Sequence, residues 1–120
     1  MPITDKFMKW SDVPGNGNGF LRFGDGGKIV AAALQPKLNP EAPFVILVGD
    51  GPRRESSAKI LCEQSSPMGV YLKRGVNQWE YFGQFVVKHW SESDTEISIH
   101  SKRARRNDIV RVIYLKTYTP

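Results

Sequence analysis

From Ser101 to Asn107 the chain reads Ser-Lys-Arg-Ala-Arg-Arg-Asn, which sets Lys102, Arg103, Arg105 and Arg106 almost side by side. The planar fork of an arginine matches the oxygens of a phosphate, and a loop of such cations can lie along a nucleic-acid backbone. The same run would also serve as a solvated turn that keeps a strand edge from pairing with other chains. A second pair, Arg53-Arg54, comes after the turn Gly49-Asp50-Gly51-Pro52 and enters an expected helix. The first turn of a helix adds unpaired N–H groups and positive potential to those side chains. Lys73-Arg74 makes a third basic loop. These eight side chains are the candidate phosphate contacts. They form one positive surface only if the three loops converge.

Aromatic residues are concentrated in one segment: Trp79, Tyr81, Phe82, Phe85 and Trp90. Aromatic rings beside basic loops can stack on an unpaired base, although most of these five are expected to be packing residues. The ingredients of catalysis are sparse. His89 and His100 have no adjacent Ser or Cys nucleophile, and Asp25, Asp50, Glu55 and Glu80 lack nuclease-like spacing. Gly49-Asp50-Gly51 and Gly24-Asp25-Gly26-Gly27 continue into neither a Walker lysine nor a dinucleotide fingerprint, so they read as turns. One cysteine, Cys62, and two histidines are too few for a classical zinc site. A binding protein is expected, with no enzymatic activity, metal or cofactor.

The chain has 120 residues, 40% hydrophobic and 24% charged, in keeping with one globular domain over residues 1–120. No run approaches the ~20 apolar residues of a membrane span. Met1 to Trp10, carrying Asp5 and Lys6, has no apolar core of a secretory signal. With a lone cysteine there is no internal disulfide, and a reducing, cytoplasmic compartment is expected. Seventeen Lys and Arg against twelve Asp and Glu give a net charge of +5. That balance favours anionic partners, nucleic acid before an acidic membrane surface.

The elements that must carry these groups are set by punctuation and period. Residues 14–27 hold six of the eleven glycines and read as loop or hairpin. Ile29–Leu34 and Phe44–Val48 are expected strands, separated by a proline-punctuated connection. Ala58, Leu61, Cys62 and Ser65 keep helical spacing, which predicts a helix over about 54–65, capped by Ser56 or Ser57, with Cys62 a small packing residue. Val70–Lys73, Trp79–Trp90, Glu96–His100 and Asp108–Tyr118 read as further strands. On the long one, Trp79, Tyr81, Phe85 and Val87 fall on one face and Phe82, Val86 and Trp90 on the other. Gly83 in its middle suggests a bulge that re-aims the residues after it. About six strands and one helix predict a mainly β, α+β fold, a small barrel rather than a sandwich.

The order from Gly49 to Trp90 resembles the C-terminal half of SRA (SET- and RING-associated, or YDG) domains. The residues that carry it are Gly49-Asp50-Gly51, the helix around Ser57-Ala58-Lys59-Ile60-Leu61, Pro67-Met68-Gly69-Val70-Tyr71-Leu72-Lys73-Arg74, and Glu80-Tyr81-Phe82-Gly83-Gln84-Phe85-Val86-Val87-Lys88-His89-Trp90. Phe82 stands where the family has the Asp of its Tyr-Asp-Gly signature, and the family's N-terminal half has no counterpart. The resemblance implies a PUA-like β-barrel and a DNA-binding module, with modified cytosine read by flipping the base into an aromatic pocket. On that reading Tyr81 and Trp79 are pocket candidates, and Asp50 is a carboxylate able to accept from a cytosine amino group. DNA is the expected partner before RNA, with any cutting left to a separate nuclease or effector chain. The other readings are an RNA-binding PUA-like domain and an adaptor or inhibitor that touches no nucleic acid.

Overall fold

The computed structural model describes residues 7–120, so the first six residues, Asp5 and Lys6 included, lie outside it. The elements in order are β1 (Phe7–Met8), β2 (Leu21–Phe23), β3 (Ile29–Leu34), β4 (Val45–Gly49), α1 (Pro52–Glu63), β5 (Met68–Gly75), β6 (Gln78–Ser91), α2 (Asp94–Ala104) and β7 (Ile109–Thr117). The strands form one sheet in the order β2-β3-β5-β6-β7-β4, and β1 pairs with the first part of β6. β3 and β5 run parallel; the other pairings are antiparallel.

Alternation along each strand sorts side chains onto two faces, and the sheet curls into a half-barrel around one of them. Leu21 on edge strand β2 and Ile46 and Val48 on edge strand β4 belong to the same core as Ala32, Leu34, Val70, Leu72, Phe85, Ile113 and Leu115. Edge strands at opposite ends of a sheet share a core only when the sheet bends. Ala58 and Leu61 of α1 complete that concave core. Two separate covers protect the convex face. Met8, Trp10 and Val13 pack over Ala31, Ala33, Tyr71 and Trp79. Ile97 and Ala104 of α2 pack over Val45, Leu47, Ile109 and Val112.

The fold is mainly β as expected, but the described residues carry two α-helices rather than one. Glu96–His100 is not a strand: it lies inside α2. Ser93 caps that helix by accepting a hydrogen bond from the Glu96 N–H, and Arg105 ends it in the left-handed conformation (φ 55°). The basic run is therefore a helix C-terminus and its turn, not a hairpin loop. α1 starts and ends two residues earlier than its apolar spacing suggested. Its start is marked by Gly51 (φ 129°), whose N–H donates to the Glu55 carboxylate, rather than by Ser56 or Ser57. At its far end the Gln64 amide brackets Ile29, accepting from its N–H and donating to its carbonyl.

Gly83 is a bulge with φ 108°: Tyr71 sits opposite Tyr81 and Gly69 opposite Gln84, so β6 holds one residue more than β5 there. The extra residue flips the parity of the rest of the strand. Trp79 and Tyr81 face the convex side, whereas Phe85 and Val87 join Phe82 on the concave side. This corrects the simple alternation, which put Phe85 with Trp79. Trp90 differs from expectation too. It is 43% exposed and lies under the Arg111 guanidinium, 4.1 Å from its ring centre. Phe85→Ala should cost ~3–5 kcal/mol in a denaturant melt, as for a fully packed ring. Trp90→Ala should cost only about 1–2 kcal/mol, the share of one half-covered ring and its cation–π interaction. Equal destabilisation by the two would contradict this placement.

Candidate nucleic-acid interface

Strand direction decides which basic loops meet. β4 ends and β7 begins at one end of the sheet, whereas β5 turns into β6 at the other. Arg53 and Arg54, which come after β4, therefore share an end with the cations before β7. Lys73 and Arg74 lie at the opposite end. Two of the three basic clusters converge, and the third does not. Arg74 is also engaged locally, 2.8 Å from Glu80 and over the Phe82 ring.

The converging pair is joined through Asp108, whose carbonyl accepts from the Asp50 N–H. Arg106 donates from Nε and Nη2 to the Asp108 carboxylate at 2.9 Å each, which holds that carboxyl below its usual range, with Arg54 adding to the effect. Its Nη1 donates to the carbonyls of Leu38 and Leu47. The Leu47 N–H donates to Asn39 Oδ1. Both edge-facing backbone groups of Leu47 are thus taken by side chains, which seals β4 as the edge of the sheet. Arg106, its side chain only 13% exposed, has spent its donors inside the fold and is not placed to bind phosphate. Arg103 lies 3.4 Å from Glu41. Lys102 and Arg105 are exposed and line a shallow depression of about 390 Å³ with Ser98, Ser101, Arg106 and Asn107.

A larger groove, about 1010 Å³, opens between the glycine-rich segment and the start of α1. Gly17, Asn18 and Gly19 form one wall; Gly51, Arg53, Arg54, Ser56 and Ser57 form the other; Phe20 and Phe23 supply apolar surface. Arg54 donates to the Asp50 carbonyl at 3.1 Å, and Arg53 is exposed. The glycine wall is shaped by a residue that the sequence alone does not single out. Buried Arg22 donates from its guanidinium to the carbonyls of Pro14, Gly15 and Gly17 and lies 4.4 Å over the Trp10 ring. Gly15 must stay bare for this: its φ is 96°, and a Cβ would fall 2.8 Å from that of Arg22. An isolated cation just past the Asn-Gly turns is the one signal of this role in the sequence.

The three pocket candidates do not meet. Trp79 is buried against Trp10, with ring centres 5.2 Å apart, and is a packing residue. Tyr81 lies on the convex face, 45% exposed, with its ring 5.0 Å from that of Tyr71. Asp50 is exposed at the end of β4, outside the lining of the groove. Of the remaining chemistry, burial pushes the Cys62 thiol up, so it is a poor nucleophile. Among the described residues no group of three or more His, Cys, Asp or Glu could hold a metal ion. No helix among them is long and apolar enough to cross a membrane.

One polar chain runs along α2, with His100 buried at its centre and Glu41 exposed at its end. Tyr114 donates its hydroxyl to Glu96 and accepts from His100 Nε2 at 3.1 Å. His100 Nδ1 lies 2.9 Å from Glu41, off the line of a hydrogen bond. None of the four lines either groove, and the chain ties α2 and the 35–44 connection to β7. No family model matches the protein, and neither a curated protein nor a solved structure matches it.

Arg106→Ala should lower stability by about 1–3 kcal/mol, because the Leu47 carbonyl loses its donor. It should also promote self-association through the opened β4 edge, visible by light scattering. An Arg106→Ala protein as stable and as monodisperse as wild type would remove the edge-seal assignment. The phenol of Tyr114 is pushed up to about 12, by burial first and then by Glu96. The folded state holds this proton more tightly than the unfolded chain, so its contribution is intact below the ordinary phenol value of 10 and lost as pH rises towards about 12. Tyr114→Phe should flatten that alkaline decline of stability, measured by denaturant midpoint. Parallel curves for the two proteins would contradict it.

Proposed function

We propose that this protein is a nucleic-acid-binding module that holds phosphates at the end of the sheet where β4 leaves and β7 begins. The observation that carries the reading is the groove between Gly17–Gly19 and the first turns of α1, with Arg53 and Arg54 on its wall. Lys102 and Arg105 extend the same positive end. Two arginines on the first turn of a helix, facing a glycine-rich wall across an open groove, suit a chain of phosphates better than a single small molecule. Net charge +5 acts in the same direction over longer range. Double-stranded DNA is the partner favoured by the resemblance of Gly49–Trp90 to SRA domains.

Recognition of a modified cytosine by base flipping remains part of that proposal, in altered form. An extruded base would enter this groove and meet Phe20 and Phe23, since Trp79, Tyr81 and Asp50 share no cavity. The phosphate contacts give affinity and register, while any choice among bases falls to the two phenylalanines. Cutting, if it accompanies binding, belongs to a separate nuclease or effector chain.

Arg53→Ala with Arg54→Ala should weaken binding to duplex DNA about equally for all sequences. It should also shallow the dependence of log affinity on log salt by roughly 0.9 for each phosphate no longer neutralised. Stability should change by less than about 1 kcal/mol, since both side chains are exposed. A folded double variant with unchanged affinity and salt slope would overturn the groove as the phosphate site. Wild-type binding that ignores salt would overturn the electrostatic reading itself.

A further inference from the structure

Between the two covers of the convex face a strip of sheet stays open. On β7, Lys116 projects onto it, with Tyr118 just past the end of the strand and Tyr114 at the rim of the α2 cover; on β6, Tyr81, Gln84, Val86 and His89 do so. The pairing fixes this arrangement: Val86 sits opposite Lys116, His89 opposite Tyr114, and the Tyr118 N–H donates to the Gln84 carbonyl. Tyr81 is 45% and Tyr118 41% exposed, and His89 lies stacked on Tyr114 with centroids 4.4 Å apart and planes 21° off parallel. The strip therefore presents exposed rings at one end, an exposed lysine in the middle and a stacked pair at the other end. From Tyr118 to Tyr114 the distance along the strand is about 13 Å.

Its construction fixes the Tyr81 ring in place while leaving it 45% exposed. Gly69 is the floor beneath the tyrosines: a Cβ there would lie 3.0 Å from Tyr71 Cε1 and 3.2 Å from Tyr81 Cε1. The Gln84 amide donates to the Tyr81 hydroxyl at 2.9 Å and fixes that ring's position. The Gly83 bulge puts Tyr81 and Gln84 on one face although an odd number of positions separates them. None of these described positions is a carboxylate, and the Glu96 carboxylate, which accepts from Tyr114, bounds the strip at the α2 end. The apolar area of these rings with the Lys116 cation beside them matches a chain of stacked bases joined by phosphates.

We propose that this strip binds an unpaired nucleic-acid strand, with bases stacked on Tyr81, Tyr118 and His89 and a phosphate on Lys116. It rests on the nucleic-acid reading above but uses another face of the sheet. A protein that holds a duplex in its end groove could thus hold a displaced or flanking single strand on its convex side. Base–aromatic stacking tolerates any sequence, so the strip adds affinity for single strands without choosing among them.

The test is fluorescence anisotropy with a labelled short oligothymidylate, and with a duplex of equal length. The proteins are wild type, Tyr81→Leu with Tyr118→Leu, Lys116→Glu, and Arg53→Ala with Arg54→Ala, each checked for an unchanged melting curve. The tyrosine pair should weaken single-strand binding between about tenfold and several-hundredfold and leave duplex binding within about twofold. Lys116→Glu, at an exposed position, should weaken it at least about fivefold even if the tyrosine variant folds poorly. The Arg53/Arg54 variant should lose the duplex and keep the single strand. If that variant loses both ligands while the strip variants lose neither, single strands use the groove and the strip proposal fails. A wild type that ignores oligothymidylate at low salt, or one whose strip is buried in a dimer by sedimentation, would also overturn it.

Discussion

Everything in this fold leans on β6, which pairs with β1, β5 and β7 and runs through the middle of the sheet. A strand that long cannot keep one face in one core while the sheet curls beneath it. The positive-φ Gly83 resolves the conflict by inserting a residue, and a second irregularity between Val87 and His89 does so again. The first half of β6 gives Trp79 to the convex cover. The second half gives Phe85 and Val87 to the concave core. Without the first parity switch Phe85 would point out of the half-barrel, and the core that joins both edge strands would lose its largest fully buried side chain. A Cβ at Gly83 meets no atom within 4 Å, so the requirement there is conformational and not spatial.

The arginines divide by how their donors are spent. Arg22 and Arg106 each hand their guanidinium to several backbone carbonyls. One shapes the glycine-rich wall and the other seals the β4 edge. Arg111 bridges Trp90 and Glu92, and Arg74 is held by Glu80. A fork that satisfies fixed carbonyls is part of the scaffold, and substituting lysine, a single point donor, would not replace it. At the end of the sheet where β4 leaves and β7 begins, Arg53, Arg54, Lys102 and Arg105 stay exposed. The net charge of the chain thus counts several cations whose donors are already engaged within the fold.

Much of the fold was legible because its signals are local. The run Ile29–Leu34 coincides with β3, the proline-rich connection ends where β4 begins, and the helical spacing around Ala58 and Leu61 found α1 to within two residues. α2 was not, because Glu96-Ile97-Ser98-Ile99-His100 alternates polar and apolar with the period of a strand. The competing signal was Ser93 with Glu96 three residues later, a helix start. The candidate site was only half legible. Which cations share an end depends on strand order and direction, and these are set by long-range pairing such as β3 with β5. Likewise nothing local distinguishes Arg106 from Arg105, although one is locked to Asp108 and the other is exposed.

The central claim is that phosphates are held in the groove between the glycine-rich segment and the start of α1. Mapping backbone amide chemical shifts by NMR while adding a short DNA duplex at low salt tests it directly. The account predicts the largest changes at Gly17 to Leu21 and Gly51 to Ser57, with a weaker extension to Lys102 and Arg105. Absent changes, or changes confined to the β5–β6 turn around Lys73 and Arg74, would contradict it.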